Sequence, residues 1–175
     1  MRKWFILCLL LFAIPCFAAG PEIFMGGGAA ADTTTWVYPN GNTTFTDTET
    51  TNTAYSIGPE MALGAHTYTK LSVNINDPQT ATQCWIAVYN GSQNLISGVW
   101  GDFVPAAGWN DVTINYATGG WTVYPQVLCN QAVKLTNNTS GCASEYAYVG
   151  AYNATPPSSI GLSGAGNCQA IRMGY

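Results

Sequence analysis

Charged side chains are scarce in this chain, and basic ones are the scarcest. Five Lys and Arg residues stand against nine Asp and Glu residues, and together they make up 8% of the sequence. A nucleic-acid surface needs clustered Lys and Arg side chains to contact phosphates. Lys70, Lys134 and Arg172 are far apart in the sequence, so nucleic acid is not expected as a partner.

The residues that carry most enzyme chemistry are also rare. His66 is the only histidine, and we interpret it as a turn or surface residue before a strand. Residues 161–165 read Gly-Leu-Ser-Gly-Ala, which lacks the final glycine of the G-x-S-x-G nucleophile motif and has no predicted helix after it. No Gly-rich phosphate loop precedes a helical pattern. We expect no catalytic residues and no enzymatic activity.

Long apolar runs are confined to the N-terminus. Arg2 and Lys3 precede the apolar run 4–17, and Cys16 and Ala18 occupy −3 and −1 of a cut after Ala18, the pattern of a secretory signal peptide. The run is shorter than the roughly 20 residues of a membrane-spanning helix. The sequence predicts a signal peptide at 1–18, a flexible Gly/Ala-rich segment at 19–31 and one domain at 32–175. That domain is expected to be secreted, extracellular or at the cell surface, with no membrane span.

Helical periodicity is absent after residue 18, whereas the period-2 pattern of strands recurs. In segment 84–89 the two alternating sets are Cys84, Ile86, Val88 and Trp85, Ala87, Tyr89. Asn90 and Gly91 then predict a hairpin turn, with 95–100 folding back antiparallel. Segments 70–75 and 111–116 alternate in the same way. These patterns predict an all-β chain folded as an antiparallel β-sandwich.

Two segments rich in aromatic residues are expected at the margins of the sandwich. Trp36 and Tyr38 precede a turn at 39–42. Residues 121–125 read Trp-Thr-Val-Tyr-Pro, and the proline cannot donate a ladder hydrogen bond. We therefore predict that 121–125 is an irregular loop or a short edge strand.

Four cysteines follow the signal peptide: Cys84, Cys129, Cys142 and Cys168. An even number in an exported chain indicates disulfides, and four cysteines allow three pairings. We favour Cys84 with Cys129 and Cys142 with Cys168, although the sequence does not choose among the three. A zinc site needs close ligand pairs, and no two of these cysteines are nearer than 13 positions.

Segments 85–97, 106–114 and 145–152, read in this order, resemble the jelly-roll β-sandwich modules of secreted, often carbohydrate-binding, proteins. Similar stand-alone modules occur in surface and phage-associated proteins. The resemblance implies a jelly-roll-like sandwich over about 70–152. It also implies a packing role for Trp109, because the corresponding Trp usually fills the space between the sheets.

Asp102 and Asp111 flank the predicted corner before the third of these strands. We interpret them first as solvated turn and strand residues. The alternative is a structural calcium site completed by carbonyl oxygens, since calcium prefers oxygen ligands. No other cofactor is expected.

Aromatic side chains on predicted loops and edges are the candidate ligand-binding residues: Trp121, Tyr124, Trp100, Trp36 and Tyr38. A flat indole can stack on the C–H face of a sugar ring while neighbouring amides and hydroxyls bind its hydroxyl groups. The favoured hypothesis is a non-catalytic module that binds a glycan or polysaccharide. The alternative is a structural subunit of an extracellular fibre, appendage or coat, in which residues 23–25 add as a strand to a neighbouring copy.

Overall fold

The computed structural model describes residues 33–51, 53–138 and 144–175. The predicted signal peptide and the predicted flexible segment lie outside them. The described residues contain one 3₁₀ turn, Pro39–Gly41, and no helix long and apolar enough to cross a membrane. Their strands are β1 (Trp36–Val37), β2 (Asp47–Thr50), β3 (Tyr55–Pro59), β4 (Met61–Ala62), β5 (Thr67–Asp77), β6 (Cys84–Asn90), β7 (Leu95–Phe103), β8 (Gly108–Ala117), β9 (Thr122–Cys129), β10 (Lys134–Asn138), β11 (Ser144–Tyr148), β12 (Leu162–Gly166), β13 (Cys168–Gln169) and β14 (Ile171–Gly174).

These strands form two antiparallel sheets of seven strands each. The first sheet runs β1-β14-β5-β10-β13, with β2 beside β10 and β8 beside β5. The second sheet runs β12-β11-β3-β9-β6-β7, with β4 beside β9. The two sheets enclose a shared core, which confirms the predicted antiparallel β-sandwich.

The core is built from every second residue of the central strands. Leu71, Val73 and Ile75 of β5 are completely buried, and they pack with Ile86 and Val88 of β6. The alternation read from the sequence therefore separates the inward from the outward residues on both strands.

At one side of the sandwich, the edge strands β7 and β8 approach closely. A Cβ atom added at Gly101 would lie 3.0 Å from Cβ of Val112. Glycine at this position lets the two edges pack together and close the side of the sandwich.

A second apolar cluster covers the outer face of the second sheet. Trp85, Ala87 and Tyr89 of β6 pack there with Leu128 and Ile160. The loop at 149–161 crosses over this face, since Nε1 of Trp85 donates to the carbonyl of Asn153 at 3.0 Å. The hydroxyl of Tyr89 donates to the carbonyl of Pro157 at 3.1 Å. Both faces of β6 are thus buried.

The predicted pairing of Cys84 with Cys129 is confirmed. These residues lie opposite each other on β6 and β9 and form a disulfide within the core. Cys168 is also disulfide-bonded, and its predicted partner, Cys142, lies outside the described residues.

The prediction that 121–125 is an irregular or edge segment is wrong beyond Trp121. Thr122 begins β9, an interior strand of the second sheet, and Pro125 is buried in its middle opposite Val88. On the other side of β9 the ladder is interrupted: β3 pairs at Val127, β4 pairs at 122–123, and nothing pairs at Pro125. The residue that lacks an N–H group therefore lies where the sheet makes no ladder bond.

The hairpin after β6 has the predicted strands but a different turn. The residue with positive φ is Gln93, at 62°, rather than Asn90 or Gly91. Asn90 instead accepts hydrogen bonds at Oδ1 from the backbone N–H groups of Ser92 (2.9 Å) and Asn94 (3.1 Å). Its side chain thus organises a longer turn than the two-residue one that Asn-Gly predicts.

Candidate functional site

Trp121 lies just before β9, at the end of the second sheet where the hairpin turn 91–94 also lies. Its indole is 63% exposed, the most exposed tryptophan among the described residues. The position is nevertheless fixed, because the carbonyl of Trp121 accepts a 3.0 Å hydrogen bond from the N–H of Leu63. The indole nitrogen passes close to Gly119, where an added Cβ would lie 3.2 Å from Nε1.

The turn after β6 lies beside Trp121 because of the register between β6 and β9. Asn90 pairs with Val123, so the residues that follow Asn90 lie next to those that precede Val123. The Asn90 side chain holds the turn through two backbone hydrogen bonds. One long-range pairing thus places an exposed indole next to an ordered polar turn.

Between the turn and the indole is an open cleft of about 390 Å³. Its lining residues are Asn90, Gly91, Ser92, Gly120, Trp121 and Thr122. None of these side chains is charged. The cleft therefore offers one aromatic ring with amide and hydroxyl groups beside it, an arrangement suited to a neutral polar ligand.

Trp36 and Tyr38, two more of the predicted ligand-binding residues, lie on the first sheet. The guanidinium of Arg172 stacks 3.7 Å from the ring centre of Trp36 and 3.9 Å from that of Trp109. Nη1 of Arg172 also donates to the hydroxyl of Tyr38 at 3.2 Å. This stack of Trp36, Arg172 and Trp109 fixes the orientation of both indoles.

The resemblance implies that Trp109 packs between the sheets, and this is wrong. Trp109 lies opposite Asn74 on the outer face of the first sheet and is 36% exposed. The inward positions of this part of β8 belong to Asn110 and Val112. Asn110 closes the corner locally, accepting from the N–H of Ala106 at 2.9 Å and donating to its carbonyl at 2.8 Å.

Trp100 and Tyr124, the remaining predicted ligand-binding residues, pack against the second apolar cluster. They lie opposite Ala87 and Tyr89 respectively, on the outer face of the second sheet. Both are half-buried against that cluster. The structure therefore separates the five predicted residues into three places: Trp121 alone, Trp36 with Tyr38, and Trp100 with Tyr124.

Asp102 and Asp111, the candidate calcium ligands, do not converge. Asp102 lies opposite Trp85 on the outer face of the second sheet, and Asp111 lies opposite Ser72 on the outer face of the first. Asp111 accepts a 2.5 Å hydrogen bond from the hydroxyl of Ser72. Their adjacency in sequence misleads because β7 and β8 belong to different sheets. Within 33–51, 53–138 and 144–175, no three His, Cys, Asp or Glu residues cluster in a way that could hold a metal ion.

A polar cluster that the sequence analysis missed joins the two sheets around Glu49. Oε2 of Glu49 accepts hydrogen bonds from the amides of Asn137 (3.2 Å), Gln169 (3.1 Å) and Asn167 (3.5 Å). Oε1 accepts one from the hydroxyl of Tyr146, which comes from the second sheet. Burial, followed by the hydrogen bond and charge of Glu49, raises the pKa of Tyr146 to about 12. These contacts satisfy both carboxylate oxygens and indicate a structural role.

The polar half of the Trp121 cleft was also missed by the sequence analysis. Trp121 is some thirty positions from Asn90 and Ser92 in the sequence, and the pairing of β6 with β9 brings it beside them. The Asn-Gly signal was available, but it was interpreted as turn chemistry alone.

Comparison with known proteins gives no match: no family model, no curated protein and no solved structure is similar to this chain. The site must therefore be interpreted from its own residues.

Proposed function

We propose that this protein is an exported, non-catalytic module that binds a neutral carbohydrate in the Trp121 cleft. The observation that carries the proposal is the 63% exposed indole beside a cleft with no charged lining residue. Ligand sites combine aromatic side chains with a few polar groups in a cleft, and this exposed ring lies beside such a cleft.

The chemistry of the cleft suits a sugar ring. The face of an indole is electron-rich, and the axial C–H groups of a pyranose present a weakly positive surface to it. The Asn90 amide and the hydroxyls of Ser92 and Thr122 can then donate to and accept from sugar hydroxyls. An acidic sugar would need a cation, and the lining of this cleft supplies none.

The expected affinity for a single sugar unit is low. Stacking on one ring contributes about 1 kcal/mol, and two or three hydrogen bonds contribute about 1 kcal/mol each. Their sum corresponds to a dissociation constant on the order of 1 mM. Retention by a polymer, which offers many sites, is therefore a better first measurement than titration with a monosaccharide.

The test is native gel electrophoresis in the presence of neutral polysaccharides, namely hydroxyethylcellulose, xylan and galactomannan, with polygalacturonate as the anionic comparison. We expect at least one neutral polymer to retard the wild type. Trp121→Ala should abolish the retardation without lowering the melting temperature, because the ring contributes little packing.

Tyr148→Ala is the matched control, since it removes a 65% exposed aromatic ring that lines neither the Trp121 cleft nor the cleft beside Trp36. It should leave the retardation unchanged. No retardation of the wild type by any neutral polymer, or equal retardation of wild type and Trp121→Ala, would contradict the proposal.

Export is part of the proposal. It is supported by the pattern of residues 1–18 and by the Cys84–Cys129 disulfide, since such bonds persist in oxidising compartments. Mass spectrometry of the exported product should find an N-terminus at Ala19. Protein that stays inside the cell with its Met1 intact would contradict export.

A further inference from the structure

A second cleft lies at the edge of the sandwich, beside Trp36 and Tyr38. Its volume is about 420 Å³, and its other lining residues include Asn40, Thr43 and Ala62. Its lining includes aromatic and neutral polar residues, as in the Trp121 cleft. It differs in having cations at its aromatic wall, since the guanidinium of Arg172 lies 3.7 Å and Nζ of Lys70 lies 5.7 Å from the ring centre of Trp36.

The register between β4 and β9 shows that the two clefts adjoin. Thr122 lines the Trp121 cleft, Ala62 lines the second cleft, and these two residues are directly paired. Paired residues in antiparallel strands project from the same face of a sheet with Cα atoms about 5 Å apart. Both side chains are exposed, so the paired residues form a surface that the two clefts share.

The combined surface is longer than either cleft. It crosses from β6 to β9, from β9 to β4, and from β4 to the 3₁₀ turn that packs beside it. The two ladder spacings of about 4.8 Å alone give a path of about 10 Å, and the 3₁₀ turn extends it. A single sugar ring is too short to contact both ends.

The aromatic pair at the far end is ordered before any ligand arrives. The guanidinium of Arg172 stacks on the ring of Trp36 and donates a hydrogen bond to the hydroxyl of Tyr38. Rings held in place lose little conformational entropy when they bind, which favours their use as contacts.

We infer that the two clefts form one groove that binds a linear neutral oligosaccharide, with Trp121 at one end and Trp36 and Tyr38 at the other. This inference rests on the proposed function, and it specifies the ligand further. The ligand is a chain of several uncharged sugar units, and affinity increases with chain length until the chain spans both clefts.

The experiment is titration calorimetry with oligosaccharides of two to six units, prepared from the neutral polysaccharide that retards the wild type in gels. We expect affinity to rise about tenfold between the dimer and the longest chain, because a second aromatic contact is added. Affinity should then stay constant once both clefts are occupied.

Ala62→Ile places a stiff β-branched side chain between the clefts without adding charge. It should remove the tenfold gain for longer chains, while binding of the dimer still depends on Trp121. Ala107→Ile is the matched control, since residue 107 is exposed in the loop between β7 and β8. That variant should show the wild-type dependence on length.

The outcomes separate the two levels of the proposal. Failure of every neutral polymer to retard the wild type overturns both the function and the groove. Binding that needs Trp121 but is independent of chain length, or a gain with length that survives Ala62→Ile, overturns only the groove.

Discussion

At the scale of single residues, the most informative side chain is Arg172. It lies between two indoles, and its Nε atom is buried without a hydrogen-bond partner. Such a position is tolerable because the aromatic faces on both sides offset part of the lost hydration. The stack therefore explains why Trp36 and Trp109, on separate strands of the first sheet, are held in fixed orientations.

We expect Arg172→Met to lower the free energy of unfolding by about 2 kcal/mol, since two desolvated cation–π contacts and the hydrogen bond to Tyr38 are lost. Chemical denaturation measures the change. Lys134→Met is the control, because Lys134 forms an exposed ion pair with Asp77 at 3.8 Å and should cost only about 0.5 kcal/mol. Equal losses in the two variants would contradict the role assigned to the stack.

The raised pKa values of one buried tyrosine, Tyr89, and one half-buried tyrosine, Tyr146, limit the stability of the protein at alkaline pH. Burial raises the pKa of Tyr89, and burial together with Glu49 raises that of Tyr146 to about 12, from 10.0 in the unfolded chain. The folded state therefore holds these protons when the unfolded state has lost them. Their contribution to stability is complete below pH 10 and is lost as the pH rises towards 12.

Urea denaturation across this pH range measures the effect. The free energy of unfolding should fall from pH 10 to 12, and the fall should be smaller in Tyr146→Phe, which has no proton to lose. Tyr148→Phe is the control, since Tyr148 is 65% exposed. A wild-type profile that is flat up to pH 12 would contradict the burial of these hydroxyls.

At the scale of elements, β9 shows where sequence reasoning failed. Proline is normally evidence against an interior strand, because it cannot donate a ladder hydrogen bond. Pro125 is tolerated inside this sheet because the ladder on one side of β9 is interrupted at its position. The break depends on β3, because Gly58 approaches so closely that an added Cβ would lie 1.7 Å from the carbonyl oxygen of Pro125. Neither the break nor this approach can be read from local sequence.

Gly58→Ala should therefore lower the free energy of unfolding by about 3 kcal/mol or more, since backbone must move to admit the methyl group. Gly161→Ala is the matched control, because an added Cβ there meets nothing within 4 Å. It should change stability by no more than about 0.5 kcal/mol. Thermal or chemical denaturation of both variants tests the account, and a stable Gly58→Ala protein would contradict the close approach of β3 to β9.

The local sequence pattern was sufficient to predict the structure where the two faces of a strand differ in polarity and the paired strands are close in sequence. The alternation of β5, β6 and β8 and the β6–β7 pairing follow from local pattern. The sequence left three cysteine pairings open, and the structure selects Cys84 with Cys129. The local sequence pattern was insufficient where contacts join segments that are far apart in the sequence. Trp109 was placed inside because a resemblance supplied its role, and Asp102 and Asp111 were placed together because the change of sheet between β7 and β8 leaves no mark in the sequence.

At the scale of the whole molecule, the two sheets are joined by polar contacts as well as by the shared core. Glu49 lies opposite Leu135, a core residue, and so faces the space between the sheets. Its carboxylate receives donors from both sheets. The network is partly buried, and it leaves Oδ1 of Asn137 buried without a hydrogen-bond partner among the described residues. Its stabilising effect therefore depends on the donors that Glu49 accepts.

Glu49→Gln should lower the free energy of unfolding by about 2–3 kcal/mol, because charge-assisted hydrogen bonds are lost and amide N–H groups are brought to face one another. Glu60→Gln, at an exposed position, should change it by no more than about 0.5 kcal/mol. Denaturant melts of both proteins make the comparison, and equal stability of the two variants would contradict the assigned role of Glu49.

The binding claim is tested most directly by the indole N–H signals in a proton–nitrogen NMR spectrum of the exported protein. Trp85 is 1% exposed and hydrogen-bonded to Asn153, so its signal is an internal reference, and Trp121→Ala identifies the signal of Trp121 by its disappearance. On addition of the neutral oligosaccharide, we expect the Trp121 signal to shift in a saturable way while that of Trp85 stays fixed. A Trp121 signal that does not move while another indole shifts, or no shift of any indole at saturating oligosaccharide, would contradict the account.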